Sequence, residues 1–287
     1  MAGVISAFPL FTDSINVRAN FDLKKCAGSG RSIMTRFLPM GATMNFRHMG
    51  GYKTRYGRQT RGDRLYRSGF LNIADDQQRA GLIELGIDTI YDFRSPMERE
   101  MNVLQAGDDV EVVELGMLIA SVENLWGMLL EEGLTPEGAE KIMGERYREL
   151  TEEEIPGYRT MFEHMMESEG GILVMCSFGK DRAGIASALL LSALDVDQAC
   201  IEEDYLLSSN AYADKDAAIG KFEQFFNSQG LPVDESVVLP ILDARTHYLD
   251  TAWRVMRERS GSREEFMLDQ LGIDETARKH LQGRFTQ

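Results

Sequence analysis

A thiol and a guanidinium lie six residues apart in the run Met175-Cys176-Ser177-Phe178-Gly179-Lys180-Asp181-Arg182-Ala183-Gly184. Cysteine attacks only as thiolate, and with an ordinary pKa near ~8.5 it needs a neighbouring cation or a helix N-terminus to reach that form at neutral pH. Arginine offers a planar fork that meets two oxygens of one phosphate at once, which the point charge of lysine does not. Gly179 leaves an inward-facing amide unobstructed and accepts backbone angles other residues avoid. These types suit phosphoryl transfer to sulfur, with Cys176 as nucleophile, Arg182 on the phosphate oxygens, and Ser177, Phe178, Gly179, Lys180 and Ala183 forming the cradle. The competing reading is a buried core cysteine. Placement between a strand and a helix favours the chemical one.

Two other motifs fail on spacing. A nucleotide-binding loop needs a glycine five residues before Gly179-Lys180 and a Ser or Thr after the lysine, and those positions hold Val174 and Asp181. A zinc site needs paired ligands, whereas Cys26, Cys176 and Cys200 are far apart and no Cys-x-x-Cys occurs.

The elements that must hold the pair are legible around it. Gly171-Ile172-Leu173-Val174 reads as a strand ending at the thiol, and Ala183–Leu194 as a buried helix starting at the arginine. Further strands are predicted at Leu65–Arg67, Ile87–Phe93 and Val110–Leu115. Helices are predicted at Asp75–Leu85, Pro136–Leu150, Glu152–Ser168 and Asp197–Ser208, with several more after Ala211. Strands alternating with helices imply an α/β fold with a largely parallel central sheet, and such sheets bind ligands at the carboxyl ends of their strands.

The loop resembles that of the Cys-x5-Arg protein tyrosine phosphatases, in particular the bacterial branch with Cys-x-x-Gly-Lys-Asp-Arg. Similar positions occur at Asn45-Phe46-Arg47, Gly50-Gly51-Tyr52, Arg64-Leu65-Tyr66-Arg67-Ser68-Gly69, Leu85-Gly86-Ile87, Asp92-Phe93-Arg94-Ser95 with Glu98, Asp204–Asn210 and Leu271-Gly272-Ile273. The likeness runs from about residue 34 to 287 as one catalytic domain and leaves 1–33 as an extension. It implies a tyrosine phosphatase-like fold with a helical lid and C-terminal helical additions. It also implies phosphate monoester hydrolysis through a phosphocysteine, free of cofactor or metal, on phosphotyrosine, phosphoserine/threonine or phosphoinositide. Asp181 is the implied acid and Asp92 the alternative; for Asp92, an ion pair with Arg94 is the competing role. Phosphate ion and a phosphorylated protein or phosphoinositide are the expected partners.

Two positions depart from the family pattern. Met175 stands where the family usually has His, and Ala183 where it has Thr or Ser. A hydroxyl after the arginine stabilises the departing thiolate, so its loss predicts a second step slower than the first. These departures motivate an alternative, a pseudophosphatase that binds phosphorylated ligands without useful turnover. A sulfur-transferring or arsenate-reducing enzyme is weaker, because neither Cys26 nor Cys200 occupies an evident resolving position.

Composition narrows the rest. A net charge of -15 over 287 residues argues against a nucleic-acid partner. One stretch reverses the sign: Arg47, Lys53, Arg55, Arg58, Arg61, Arg64 and Arg67 face the single acid Asp63. It reads either as a basic hairpin edge or as a surface steering anionic substrate toward the loop, with Lys180 holding a second phosphate. The apolar segment Met117–Leu130 reads as core packing or as a lid over the pocket. No run approaches the roughly 20 apolar residues of a membrane span, the N-terminus is broken by Pro9 and Asp13, and three unpatterned cysteines suit a reducing compartment. A cytoplasmic location is expected, with signal-independent secretion left open.

Overall fold

The computed structural model describes residues 36–38, 40, 43–71, 73, 76–118, 122–130, 134–211 and 215–287. The extension 1–33, with Cys26, lies outside them. Five strands form one sheet in the order β1-β2-β5-β3-β4, where β1 is Arg47–His48, β2 Leu65–Ser68, β3 Ile87–Asp92, β4 Glu111–Glu114 and β5 Gly171–Met175. Only the β1–β2 pair is antiparallel. Strand β5, Gly-Ile-Leu-Val-Met, is buried along its whole length. A central parallel strand is covered on both faces and so reads as a continuous apolar run rather than an alternating one.

Successive β5 side chains serve different cores. Ile172 and Val174 join the larger cluster, and Leu173 and Met175 join a second cluster with Phe46, Tyr66 and Ile90. Met175 therefore packs beneath the sheet, on the face opposite the cluster that contains Cys176.

Among the described residues twelve α-helices flank the sheet. They are α1 (Asp76–Glu84), α2 (Pro96–Met101), α3 (Val122–Leu129), α4 (Pro136–Glu152), α5 (Ile155–Glu167), α6 (Arg182–Ala193), α7 (Gln198–Leu206), α8 (Lys215–Ser228), α9 (Glu235–Leu242), α10 (Thr246–Ser260), α11 (Arg263–Leu271) and α12 (Glu275–Phe285). Every residue of α6 is buried, as its run of small and apolar residues requires. Strand β1 and helix α2 were not anticipated from sequence. Helix α2 follows from a capping box: Ser95 Oγ accepts from the Glu98 amide, Glu98 Oε2 accepts from the Ser95 amide, and Pro96 sits in the first turn.

The topology corrects the steering-surface reading. Residues 49–64 run along the amino ends of the parallel strands, opposite the Cys176 loop. There the Arg55 amide bonds Asp195 O, Arg58 reaches Thr286 O and the Arg61 amide bonds Phe285 O. Arg47 and Arg67, the two ends of the stretch, are fully buried. In α3, Leu125 and Leu129 join the main core, so these two residues serve packing. No helix among the described residues is long and apolar enough to cross a membrane.

Candidate active site

The loop of residues 176–181 leaves the carboxyl end of β5 and enters α6 at Arg182. Its carbonyls are tied down from outside. Phe70 N donates to Ser177 O at 3.0 Å; Asn45 Nδ2 donates to Phe178 O at 3.2 Å and to Gly179 O at 2.9 Å; Arg67 Nε donates to Gly179 O at 2.8 Å and Nη2 to Lys180 O at 3.1 Å. In a planar trans peptide the C=O and the following N–H point in opposite directions. Four outward carbonyls thus turn the amides of residues 178–181 inward, toward the same space. Gly179 makes the turn at φ +67, and a Cβ there would lie 2.4 Å from the Ser68 carbonyl, so both conformation and space demand glycine.

The groups that hold the loop are themselves held. Asp204 on α7 accepts from Arg67 Nη1 at 2.8 Å, Arg47 Nη2 at 3.3 Å and Tyr52 Oη at 3.2 Å. Ser208 Oγ accepts from Arg47 at 3.3 Å and Arg67 at 3.1 Å. Arg47 also donates to Asn45 Oδ1, fixing a side chain whose own backbone sits at φ 59. Burial pushes the Asp204 carboxyl up, but Arg47 and Arg67 outweigh it and hold it at about 2.

Arg182 faces the cradle, paired with Glu98 of α2. Nη1 donates to Glu98 Oε2 at 2.6 Å and to Phe93 O at 3.0 Å, and Nη2 to Glu98 Oε1 at 2.7 Å. Ser177 Oγ also donates to Glu98. Burial raises the Glu98 carboxyl, and the Arg182 guanidinium with these donors brings it down to about 2. The pair orients the guanidinium yet leaves its buried Nε–H without an acceptor among the described residues. The resemblance marked Glu98 only as a motif position; its role is the one the Ser95-x-x-Glu98 spacing could have disclosed.

Cys176 is a free, buried thiol. Cys200, buried in α7, is disulfide-bonded.

Asp181 accepts from Tyr147 Oη at 2.8 Å and lies 3.1 Å from Lys180 Nζ and 3.8 Å from Arg146 Nε. Burial raises its carboxyl, and Lys180, Arg146 and Tyr147 together hold it below the ordinary range. Arg146 and Tyr147 both come from α4, so this amphipathic helix, rather than the described part of the methionine-rich segment, supplies polar groups over the loop. Lys180 turns away from the cradle: its ammonium donates to Ile241 O at 2.7 Å and Asp243 O at 3.2 Å, at the end of α9. Asp92 is sealed in a pair with Arg94, whose Nη2 donates to Oδ2 at 2.7 Å and Nε to Oδ1 at 3.0 Å. Ala183 packs its methyl into the main core at the first turn of α6. Among the described residues no group of His, Cys, Asp or Glu could hold a metal ion.

This geometry agrees with three comparisons. A model described as the tyrosine phosphatase family matches residues 38–287. The chain is 33% identical over 235 residues to a Cupriavidus necator protein whose name places it, provisionally, among the tyrosine-protein phosphatases; the match covers 80% of this chain and 82% of that one. It is 28% identical over 250 residues to the triple specificity protein phosphatase PtpB of Mycobacterium tuberculosis, covering 77% and 90% respectively.

Proposed function

The chain belongs to the tyrosine phosphatase family, and from that premise we propose that it hydrolyses phosphate monoesters through a phosphocysteine on Cys176. The observation that carries this reading is the loop with its carbonyls tied outward, together with the buried Arg182 Nε that meets no acceptor among the described residues. Inward amides and an oriented guanidinium favour a tetrahedral oxyanion over neutral ligands.

In the first step Cys176 Sγ attacks phosphorus, and the P–O bond to the leaving group breaks. Arg182 and the loop amides hold the three remaining oxygens, while Asp181 gives a proton to the departing one. Asp181 is held ionised by the charges of Lys180 and Arg146 and by the hydrogen bond from Tyr147. A phosphoryl dianion entering beside it offsets the two cations and raises its proton affinity. In the second step water attacks phosphorus, Asp181 takes the water's proton, and the S–P bond breaks to restore the thiolate. Atoms and charges close without metal or organic cofactor.

Asp181 is preferred to Asp92 as the acid because Asp181 lies in the loop, whereas both oxygens of Asp92 are taken up by Arg94. Phosphotyrosine is the proposed substrate. The resemblance to the bacterial Cys-x-x-Gly-Lys-Asp-Arg branch extends the proposal to phosphoserine, phosphothreonine and phosphoinositides, whose alkyl leaving groups lean hardest on Asp181. Acid quenching during turnover of an aryl phosphate, followed by peptide mass analysis, should find phosphate on Cys176. Cys176→Ser should abolish turnover. Turnover near the wild-type rate in that variant would overturn the mechanism.

A further inference from the structure

Sulfur leaving phosphorus in the second step takes on a full negative charge in a buried place, and such a charge is costly without a hydrogen-bond donor. The amides turned inward by the loop face the phosphoryl oxygens, and Ala183, which follows Arg182, offers only a methyl packed in the core. Two buried hydroxyls near the loop meet no partner among the described residues, Ser68 Oγ and Tyr158 Oη. Ser68 follows Tyr66 by two positions on β2 and so falls on the Met175 face of the sheet, away from Cys176. Tyr158 of α5 is 1% exposed, and its Oη meets no hydrogen-bond partner among the described residues.

A buried, unsatisfied tyrosine hydroxyl is rare and costly, so its position calls for an acceptor. Its ring lies 5.5 Å from that of Phe93. The amide of Phe93 bonds Met175 O at 2.9 Å, and its carbonyl accepts from Arg182 Nη1 at 3.0 Å. Tyr158 is thus packed against the residue that links the end of β5 to Arg182, on either side of Cys176. The ionisable groups acting on its oxygen are Glu154, Cys176, Arg182 and Arg146, and burial, followed by Glu154 and Cys176, drives its pKa well above 10. The hydroxyl therefore keeps its proton at any working pH and is a donor throughout. Arg182 Nε is likewise a buried donor without an acceptor among the described residues.

We propose that Tyr158 Oη donates a hydrogen bond to Cys176 Sγ as the S–P bond breaks, supplying from α5 the hydroxyl that Ala183 cannot. This inference rests on the phosphocysteine reading above. The second step then runs at a rate comparable to the first, in place of the slow step that Ala183 alone would predict.

Rapid-mixing kinetics with an aryl phosphate tests it. Tyr158→Phe keeps the ring and its packing on Phe93, so its melting temperature should stay close to wild type. It should release a burst of phenol near one enzyme equivalent at the wild-type burst rate, then turn over about tenfold to a hundredfold more slowly, as loss of a hydrogen bond to a charged group implies. Phosphocysteine trapped by acid should rise to match. Adding Ala183→Thr to Tyr158→Phe should bring steady-state turnover back toward the wild-type rate. The proposal is overturned if Tyr158→Phe matches wild type in both phases, or if it slows burst and steady state equally. If phosphocysteine forms in the wild type and Tyr158→Phe has no effect, the assignment of Tyr158 alone fails. If the wild type never forms phosphocysteine, the mechanism beneath it fails.

Discussion

The two sides of the Cys176 loop are built on opposite terms. Behind it, Asn45, Arg47, Arg67, Asp204 and Ser208 bond one another and the loop carbonyls, and each charge meets an opposite charge or a carbonyl at hydrogen-bond distance. In front of it, Arg182 Nε and Tyr158 Oη are buried donors that meet no acceptor among the described residues. In this comparison the scaffold's polar groups are satisfied, and the two left unsatisfied are those that a ligand's oxygen, at Arg182, and the departing thiolate, at Tyr158, would complete. The difference separates scaffold from site more sharply than residue type does, since arginine serves in both.

Breaking the back side should have the largest effect. Asp204→Ala leaves Arg47 and Arg67 buried without their carboxylate, which costs about 3–5 kcal/mol. At roughly 2–4 °C per kcal/mol for a chain of this size, the melting temperature should fall on the order of 10 °C, and activity should go with it. A variant that melts within a degree or two of wild type would show that the network is not the scaffold.

Two buried carboxylates, Asp204 behind the loop and Glu98 beside Arg182, set acid sensitivity. Glu98 and Asp204 are held at about 2 in the fold, whereas in the unfolded chain such groups titrate near 4. As pH falls the unfolded chain binds protons first, so their contribution is complete above about pH 5 and is lost between there and about 2. Together they are worth on the order of 5 kcal/mol, at about 1.4 kcal/mol per pKa unit. Urea unfolding at pH 6 and pH 3 should show that decline, and Glu98→Gln should flatten part of it. An equally steep decline in Glu98→Gln would remove Glu98 from the account.

On the front side, Asp181→Asn should slow alkyl phosphates by about 10²-fold or more and aryl phosphates far less, because only poor leaving groups need a proton. Equal losses on both would reassign Asp181 to structure.

Lys180→Ala should give the smallest change. Its ammonium caps the carbonyls of Ile241 and Asp243 and lies 3.1 Å from Asp181, so a loss of several-fold or less, equal on singly and doubly phosphorylated lipid headgroups that share an alkyl leaving group, is expected. A selective loss on the doubly phosphorylated headgroup would return Lys180 to the front of the loop.

What was legible in the sequence is what is local in the chain. Strand, thiol, glycine, arginine and buried helix are contiguous from Gly171 to Leu194, and they fold as read, with the strand ending at Met175 rather than Cys176. Helices α4 and α5 were also anticipated from their periodicity. The misread side chains are those whose environment is set from far along the chain. Arg47 and Arg67 looked like members of a basic surface because their neutralising carboxylate, Asp204, lies 157 and 137 residues away. Tyr158 carries no sequence signal: an aromatic on the buried face of a helix is normally core, and only the unpaired hydroxyl distinguishes it.

The central claim is that the front of the loop is an oxyanion site built around Arg182. Titrating the inert Cys176→Ser variant with inorganic phosphate by calorimetry tests it directly. Phosphate should bind with one-to-one stoichiometry, and adding Arg182→Lys should weaken it by about 10²-fold, since a point charge cannot reproduce the guanidinium's contacts. Failure of Cys176→Ser to bind phosphate, or unchanged affinity after Arg182→Lys, would contradict the account.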